Sequence, residues 1–534
     1  MAVPAVPAVP AVPAVPAVPL DVDVLVVGAG ISGVDAGCRL AMHCPGTTWA
    51  VLEARDAIGG TWDLFRYPGI RSDSDMYTLG FPFRAWRGDA ALAAGADIRD
   101  YVQDTAREFG VTERLHLGQR VDRLEWSSSA ARWSVTARTA DGEVTHTARF
   151  VYLATGYFAY EAGHVVDFPG QADFAGEVVH PQHWPEGMPL AGRRVVVVGS
   201  GATAVTLLPA LVEEGAANVT MLQRSPSYVV ALPERDVVAA VLHRLLPTPV
   251  AHRLVRGKNV VLSTVGYQVL RRFPTAGRRI LRRQALDRLP EGYAVDTHFS
   301  PRYEPWDQRL CVAPDGDLFD VLSDGRAEVV TDTVERFERD GIRLRSGALL
   351  PADLVVTATG LRIQVGGGAE VVIDGVPLDV SSAHVYKGLM LSGVPNLALA
   401  LGYTNASWTL RSGPVRPLVL LAATPPGPAR AHRRHTEVRR AAGEGRGVPA
   451  PARPHLRVHP AGGSPDAPTG SAAAVAGRPE LSLRPRRHAA GPDRRRTPGA
   501  ALNRTSLVSG VHVAGGGPHR RRGRARHRCD TLRP

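Results

Sequence analysis

The chain has 534 residues and a formal net charge of +12, but that charge is confined to one end. Residues 1–410 hold 38 Lys and Arg against 45 Asp and Glu, whereas residues 411–534 hold 25 Arg, no Lys and 6 acids. The first 410 residues are therefore not basic. No run of the sequence reaches the roughly 18 apolar residues that a membrane span needs. Four Cys without metal-ligand spacing predict no metal site and a cytoplasmic location, with peripheral membrane association left open.

The N-terminus is a repeat, six copies of AVP from Ala2 to Pro19. A Pro at every third position prevents helix formation and favours extended polyproline II. The repeat has no basic start and no unbroken apolar stretch, so it does not resemble a signal peptide. We predict a disordered leader over residues 1–20.

The next stretch, DVDVLVVGAGISGVDAGCRL, predicts a strand, a tight turn and a helix. Gly28, Gly30 and Gly33 form a G-x-G-x-x-G turn, which lets the backbone approach a pyrophosphate at the helix N-terminus. The following strand ends in Glu53, whose carboxylate accepts hydrogen bonds from ribose hydroxyls. This combination predicts an FAD site.

A second copy of the same pattern begins at RRVVVVGSGATAVTLLPAL, where Gly199, Gly201 and Ala204 occupy the turn. Arg224 follows Gly199 by the same 25 positions that separate Glu53 from Gly28. An Arg with a neighbouring hydroxyl, here Ser225, binds the 2′-phosphate that a carboxylate would repel. The second site is therefore predicted to bind NADPH.

Two apolar strands, in YLATGYF and DLVVTATGLR, end in Ala-Thr-Gly and predict crossings between two domains. The predicted fold is α/β, with two nested Rossmann-like domains and a helical insertion. The predicted boundaries are an FAD-binding part at 21–160, an NADPH-binding domain at 161–380 with its helical insertion at 226–303, a return to the FAD domain at 381–410, and a tail at 411–534.

Two-dinucleotide flavoproteins include disulfide reductases, which need a redox pair of Cys. Cys38 and Cys44 are six positions apart, which is not the spacing of such a pair, so both are interpreted as structural. Without a thiol relay, reduced flavin is expected to pass its electrons to oxygen.

The segment FAGEVVHPQHWP fits F-x-G-x-x-x-H-x-x-x-W-P through Phe174, Gly176, His180, Trp184 and Pro185. A second motif, GGTWDLFRYPGIRSD, runs from Gly59 to Asp73. Both resemble fingerprints of the type I Baeyer–Villiger monooxygenases, within the flavin-containing monooxygenase superfamily. The similarity extends from about Asp21 to Leu410 and is closest to the actinobacterial branch that activates ethionamide.

This resemblance implies an enzyme in which NADPH reduces FAD, O2 adds to give a C4a-peroxyflavin, and a ketone becomes an ester or lactone. It also implies catalytic roles for Arg309, in PWDQRLC, as a fixed cation near the flavin, and for Asp73 as the carboxylate that holds it. From the residues alone, Arg309 is equally compatible with a surface salt bridge. His180 is interpreted as a domain-coupling residue, with direct proton transfer as the alternative.

The resemblance further implies the residues that line each cofactor. For FAD these are Gly28, Gly30, Ser32, Gly33, Glu53, Thr61, Trp62, Asp63, Asp73 and Val121. For NADPH they are Arg71, Ser72, Gly199, Ser200, Gly201, Ala202, Thr203, Ala204, Val205, Thr206, Arg224 and Ser225.

Residues 411–534 lack Phe, Trp, Tyr, Ile and Met and do not match the family. They are predicted to be disordered, and an out-of-frame translation of a GC-rich gene explains their composition. Three hypotheses stay open: a ketone monooxygenase acting on a small molecule and O2, the same machinery acting mainly on sulfur or nitrogen, and a non-catalytic chain whose basic tail binds polyanions. A monooxygenase impaired by its disrupted C-terminus is a further alternative. Nucleic acid is not expected as a partner.

Overall fold

A computed structural model describes residues 18–380, 383–386, 388–403 and 406–412. The predictions for the leader and the tail fall almost entirely outside these residues. The described strands are β1 (Asp21–Val27), β2 (Trp49–Leu52), β3 (Leu115–His116), β4 (Arg120–Ser127), β5 (Arg132–Thr139), β6 (Gly142–Leu153), β7 (Phe158–Gly163), β8 (Glu177–Val179), β9 (Arg194–Val198), β10 (Asn218–Gln223), β11 (Val229–Leu232), β12 (Cys311–Pro314), β13 (Ala327–Thr331), β14 (Val334–Glu338), β15 (Gly341–Leu344), β16 (Leu349–Pro351), β17 (Leu354–Thr357), β18 (Leu361–Ile363), β19 (Glu370–Ile373), β20 (Val376–Pro377), β21 (Val385–Tyr386), β22 (Met390–Leu391) and β23 (Leu397–Leu399).

The described helices lie mostly between the strands of the two larger sheets. They are α1 (Ile31–His43), α2 (Thr61–Leu64), α3 (Met76–Leu79), α4 (Gly95–Glu108), α5 (Ala202–Glu213), α6 (Val237–Leu245), α7 (Thr248–Arg272), α8 (Pro274–Leu286), α9 (Val295–His298), α10 (Asp317–Ser323) and α11 (Thr409–Ser412). No helix in this part of the chain is both long enough and apolar enough to cross a bilayer.

The first large sheet contains the predicted FAD-binding turn. Its strand order is β20-β19-β4-β5-β6-β1-β2-β3, and β23 also pairs with β6. In β1, Val24 and Val26 pack into one apolar cluster while Leu25 and Val27 pack into another on the opposite face. A strand buried on both faces has a continuous apolar sequence, which is why VLVV, Val24 to Val27, is uninterrupted. The chain returns to this sheet at β19, which lies before the boundary predicted at residue 381.

The second large sheet contains the predicted NADPH-binding turn and is wholly parallel, with strand order β13-β10-β9-β17-β8. Helix α5 follows β9 and buries Leu207, Leu208 and Leu211 in the cluster that β9 and β10 also line. Parallel pairing needs crossover connections. Helix α5 supplies the one from β9 to β10, and the small sheet of β14, β15 and β16 lies in the one from β13 to β17. Helices α6 to α9 occupy the range 226–303 predicted as a helical insertion.

Candidate active site

Each glycine-rich turn closes against one of the two Ala-Thr-Gly crossings. Gly28 has φ +103°, and a Cβ there would lie 2.6 Å from the carbonyl oxygen of Ala154. Gly199 has φ +148°, and a Cβ there would lie 2.4 Å from the carbonyl oxygen of Ala358. Both positions therefore require glycine on two counts, backbone conformation and space. The repeated contact relates the two nucleotide turns to each other in structure as well as in sequence.

The first turn fits a bound pyrophosphate. A Cβ at Gly33 would lie 1.8 Å from the Gly28 carbonyl oxygen, so the helix can pack this close only with glycine. Gly30 is the N-cap of α1 and supplies no capping side chain, which leaves the first N–H groups available to an anion. Glu53 lies after β2 and is almost buried; it accepts hydrogen bonds from the backbone N–H groups of Ala29 (2.6 Å) and Arg55 (3.0 Å). Burial raises the pKa of the Glu53 carboxyl, and the two N–H donors oppose that shift.

The other residues predicted to line FAD lie on α2 and on β4. Gly60 precedes α2 with φ +57°, and its Cβ would lie 2.8 Å from the Cα of Gly30, so the predicted Thr61 and Trp62 start beside the first turn. Asp63 is buried and contacts two arginines, Arg55 at 2.5 Å and Arg66 at 2.6 Å. Its carboxylate is thus paired within the protein. Val121 is also buried, in β4.

The second turn leaves room for a phosphate-bearing ligand. Gly201 is the N-cap of α5, without a side-chain cap, and no atom lies within 4 Å of a Cβ built there. The Ser200 hydroxyl donates to the Ser225 carbonyl at 2.9 Å, which joins the turn to the segment after β10. Arg224 in that segment is exposed and forms no ion pair with a described residue. Ala204, Val205 and Thr206, in contrast, are buried in α5.

A loop from the first domain packs onto α5 of the second. A Cβ at Gly69 would lie 2.7 Å from the Cβ of Ala210, and burial raises the pKa of Tyr67 to about 12 while its hydroxyl bonds Thr203. Arg71, predicted to contact NADPH, pairs at 2.5 Å with Asp317 at the start of α10. The Ser72 hydroxyl is buried and donates to the carbonyl of Ser74 (2.7 Å), so it shapes its own loop.

Arg309 and Asp73 form a two-bond ion pair. Nε and Nη2 of Arg309 each lie 2.8 Å from a different carboxylate oxygen of Asp73, and Nη2 also lies 3.3 Å from the Ser74 hydroxyl. The Arg309 side chain is 46% exposed and that of Asp73 is 30% exposed. The guanidinium is therefore held in a fixed orientation and still open to solvent, as a group that meets a substrate must be. The contact agrees with the resemblance, while its catalytic role stays a prediction.

Two stacked aromatic rings, missed in the sequence, connect the neighbourhood of this ion pair to the first helix. Tyr157 lies close enough to Arg309 and Asp73 for both charges to affect its pKa, which partial burial raises. Its ring stacks on Trp408 (centroids 5.3 Å apart), whose Nε1 donates to the Ser32 hydroxyl at 2.7 Å. Both aromatic residues occur in conspicuous stretches, YLATGYF and GYTNASWTL, but nothing in either stretch indicates that they meet.

His180 contacts the second crossing and the strand that follows the first. Its Nδ1 accepts from the N–H of Gln182 (3.2 Å), and its Nε2 donates to the carbonyl of Gly360 (3.2 Å), an arrangement that requires a neutral imidazole. Burial lowers its pKa. On the other side, a Cβ at Gly163 at the end of β7 would lie 2.0 Å from the His180 ring. His180 is thus placed between the outgoing and returning segments.

The rest of the fingerprint packs around this contact. Phe174 is buried against Phe337, and a Cβ at Gly176 would lie 2.5 Å from the Asp353 carbonyl oxygen. Trp184, followed by Pro185, packs against the core of the second sheet. The ring of His183 forms a hydrogen bond with the backbone carbonyl of Glu161 at 3.1 Å.

The cysteines do not form a redox centre in the part of the chain described. Cys38, Cys44 and Cys311 are buried and free, and burial raises the pKa of each thiol, that of Cys311 to about 12. Such thiols are poor nucleophiles at neutral pH. No group of His, Cys, Asp or Glu among the described residues could hold a metal ion.

Comparison with known proteins identifies the chemistry. A family model for flavin-binding monooxygenase-like proteins matches residues 89–238, and one for an NAD(P)-binding Rossmann-like domain matches residues 26–91. The FAD-containing monooxygenase EthA of Mycobacterium tuberculosis is 50% identical over 391 residues, which are 73% of this chain and 80% of EthA. The putative FAD-containing monooxygenase MymA of the same organism is 50% identical over 396 residues, with the same coverage.

Solved structures share the fold at lower identity. A steroid monooxygenase bound to NADP superimposes with a TM-score of 0.64 at 22% identity, covering 76% of this chain and 84% of the other. A cyclohexanone monooxygenase gives 0.63 at 21% identity, covering 79% and 93%. These findings confirm the predicted α/β fold class, the enzyme class and the cofactors FAD and NADPH. The chain belongs to the FAD-containing monooxygenases.

Proposed function

We propose that this monooxygenase inserts one oxygen atom of O2 into a small-molecule ketone, giving an ester or a lactone, and that it does so in the cytoplasm. Bound FAD, once reduced by NADPH, supplies the oxygen-activating chemistry. The observation that carries the proposal is the Arg309–Asp73 ion pair, a cation held in a fixed orientation near Tyr157. Such a cation stabilises negative charge that develops on oxygen during the reaction, without reorganising to do so.

The two cofactors are assigned to the two turns by the charge that follows each. Glu53 presents a carboxylate after the first turn, which accepts hydrogen bonds from ribose hydroxyls and suits the adenosine of FAD. Arg224 presents an exposed guanidinium after the second turn, beside the Ser225 hydroxyl. That pair binds a 2′-phosphate, so the second turn selects NADPH over NADH.

Asp73 orients the catalytic cation in this proposal, and Tyr157 lies near it. Trp408 is fixed to the first helix through Ser32, and its ring supports that of Tyr157. The Asp73 carboxylate accepts hydrogen bonds from two guanidinium nitrogens of Arg309, and these two bonds fix the plane of the guanidinium.

His180 acts in this proposal as a positioning residue. Its neutral ring, bonded on both nitrogens, has no lone pair or proton free to exchange with a substrate. It holds the crossing that starts at Ala358 against Gly163 at the end of β7, the strand that follows the crossing at Ala154. Each nucleotide turn closes against one of these crossings, so the ring couples the segments on which both cofactor sites depend.

Product analysis tests the proposal. Purified full-length protein is supplied with FAD, NADPH, O2 and phenylacetone, and the products are identified by mass spectrometry. Benzyl acetate formed in proportion to the NADPH consumed supports it. Replacing the ketone with methyl phenyl sulfide separates the two oxygenation chemistries. Sulfoxide formation without any ester from the ketone would contradict ketone oxygenation while leaving the monooxygenase class intact.

A further inference from the structure

The helical insertion carries an exposed apolar surface. Thirteen of the 27 large apolar side chains that are exposed among the described residues lie between Val237 and Leu286. On α7, Val250, Leu254, Val261 and Val265 recur at intervals of four and seven, which places them on one side of the helix. Leu254 is 51% exposed and Val261 is 59% exposed. We call the exposed apolar side chains of α6, α7 and α8 the insertion face.

The segment that carries the insertion face has basic side chains and no acidic ones. From Val237 to Leu286 the chain has ten Arg or Lys and no Asp or Glu. Several of these cations pair with acids outside the segment, as Lys258 does with Asp236. Four exposed arginines form no ion pair with a described residue: Arg244, Arg253, Arg272 and Arg279. The apolar side chains are therefore accompanied by cations that are not neutralised.

This combination distinguishes between the occupants that could cover such a face. A second copy of the chain would bring arginines against arginines, and like charges at close range oppose association. An anionic lipid surface neutralises the arginines and also receives the apolar side chains at the boundary of headgroups and acyl chains. We propose that the insertion face docks onto an anionic lipid surface.

The same helices contact the segment that leads to the catalytic cation. Arg271 of α7 pairs with Asp307 at 2.6 Å, and Arg278 of α8 pairs with Glu304 at 2.7 Å. Both acids lie just before Arg309 in the chain. The proposed docking face thus belongs to the framework that positions this part of the active site, and an apolar substrate dissolved in the lipid would be concentrated near it.

Vesicle binding of the full-length, flavin-loaded protein tests the proposal. Sedimentation is measured with vesicles of phosphatidylcholine alone and of phosphatidylcholine mixed equally with phosphatidylglycerol. The protein is expected to bind the mixed vesicles and to bind phosphatidylcholine weakly. The paired substitution Leu254→Asp with Val261→Asp is expected to reduce binding to mixed vesicles by roughly 100-fold. Each substitution removes one aliphatic side chain that the lipid would cover, which weakens binding about tenfold.

Matched controls distinguish vesicle binding through the insertion face from binding through the basic tail, because the tail is unchanged in every variant. The pair Val165→Asp with Val376→Asp introduces the same charges at exposed valines elsewhere, and wild-type binding is expected. A second test pair on α6, Val241→Asp with Leu245→Asp, is expected to reproduce the loss. Vesicle binding that is equal in wild type and both test pairs would overturn the proposal. So would a wild-type dimer that the α7 pair converts to monomers, because the face would then belong to a second copy.

Discussion

The buried His146 of β6 predicts a specific dependence of stability on pH. The residue is 0% exposed, its Nδ1 accepts from the N–H of Leu20 (3.1 Å), and its Nε2 donates to the side-chain oxygen of Gln119 (2.8 Å). Burial lowers the pKa of its imidazole from 6.5 to about 4. Protonation in the folded state would cost the bond to Leu20 and place a charge in the interior.

The direction in which stability changes with pH follows from the number of protons bound by the folded and unfolded chains. Because the folded pKa is depressed, the unfolded chain binds more protons below pH 6.5, and stability falls as the pH drops from 6.5 towards 4. Each pKa unit corresponds to about 1.4 kcal/mol, so this residue should contribute a loss of about 3 kcal/mol by pH 4.

Urea unfolding of wild type and of the His146→Gln variant measures this contribution. The glutamine oxygen can accept from Leu20 and its amide can donate to Gln119, but the side chain does not titrate. The difference in unfolding free energy between the two proteins should shift by about 3 kcal/mol in favour of the variant between pH 7 and pH 4. Parallel curves would mean that the imidazole titrates normally, and would refute the burial argument.

Three further substitutions test the cofactor sites. Gly163→Ala should displace the ring of His180 and lower the unfolding free energy by about 1–3 kcal/mol, measured by urea denaturation. Arg224→Gln should raise the KM for NADPH roughly tenfold and leave the KM for NADH unchanged, measured by steady-state kinetics. Trp408→Phe should keep the ring stacked but lose its hydrogen bond to the first helix, which raises FAD dissociation roughly fivefold in a flavin fluorescence assay.

Each of these has a control and a contradicting result. Gly257→Ala adds the same methyl group in open space on α7 and should not destabilise; equal losses in both alanine variants would argue against a role for the His180 contact. A proportional rise in both KM values would show that Arg224 does not read the 2′-phosphate. Unchanged flavin retention in Trp408→Phe would separate that residue from the FAD site.

The sequence predicted the parts of the site that depend on local chemistry. A glycine-rich turn requires particular residues at fixed spacing, so Gly28, Gly33 and Gly199 could be identified from the order of residues alone. The ligand of each turn could also be predicted, because the charge of Glu53 favours a ribose hydroxyl and that of Arg224 favours a phosphate.

The remaining contacts depend on how distant segments meet. Tyr157 and Trp408 are separated by 251 positions and form no repeating pattern, so their stacking could not be inferred. The pairing of Arg71 with Asp317 likewise joins two elements that only the fold brings together. The return of β19 to the first sheet was missed because EVVI is too short and too uniform to indicate which sheet it joins. Arg309 was identified through its motif and not through its own chemistry.

The sharpest test of the proposed mechanism is the coupling of NADPH consumption to product formation in Arg309→Gln. Arg326→Gln serves as the control, since that exposed arginine pairs with Asp324 away from either nucleotide turn. With FAD content matched, we expect Arg309→Gln to consume NADPH still but to yield at least roughly tenfold less oxygenated product, with hydrogen peroxide in its place. A variant that keeps the wild-type ratio of product to NADPH would contradict the role assigned to Arg309.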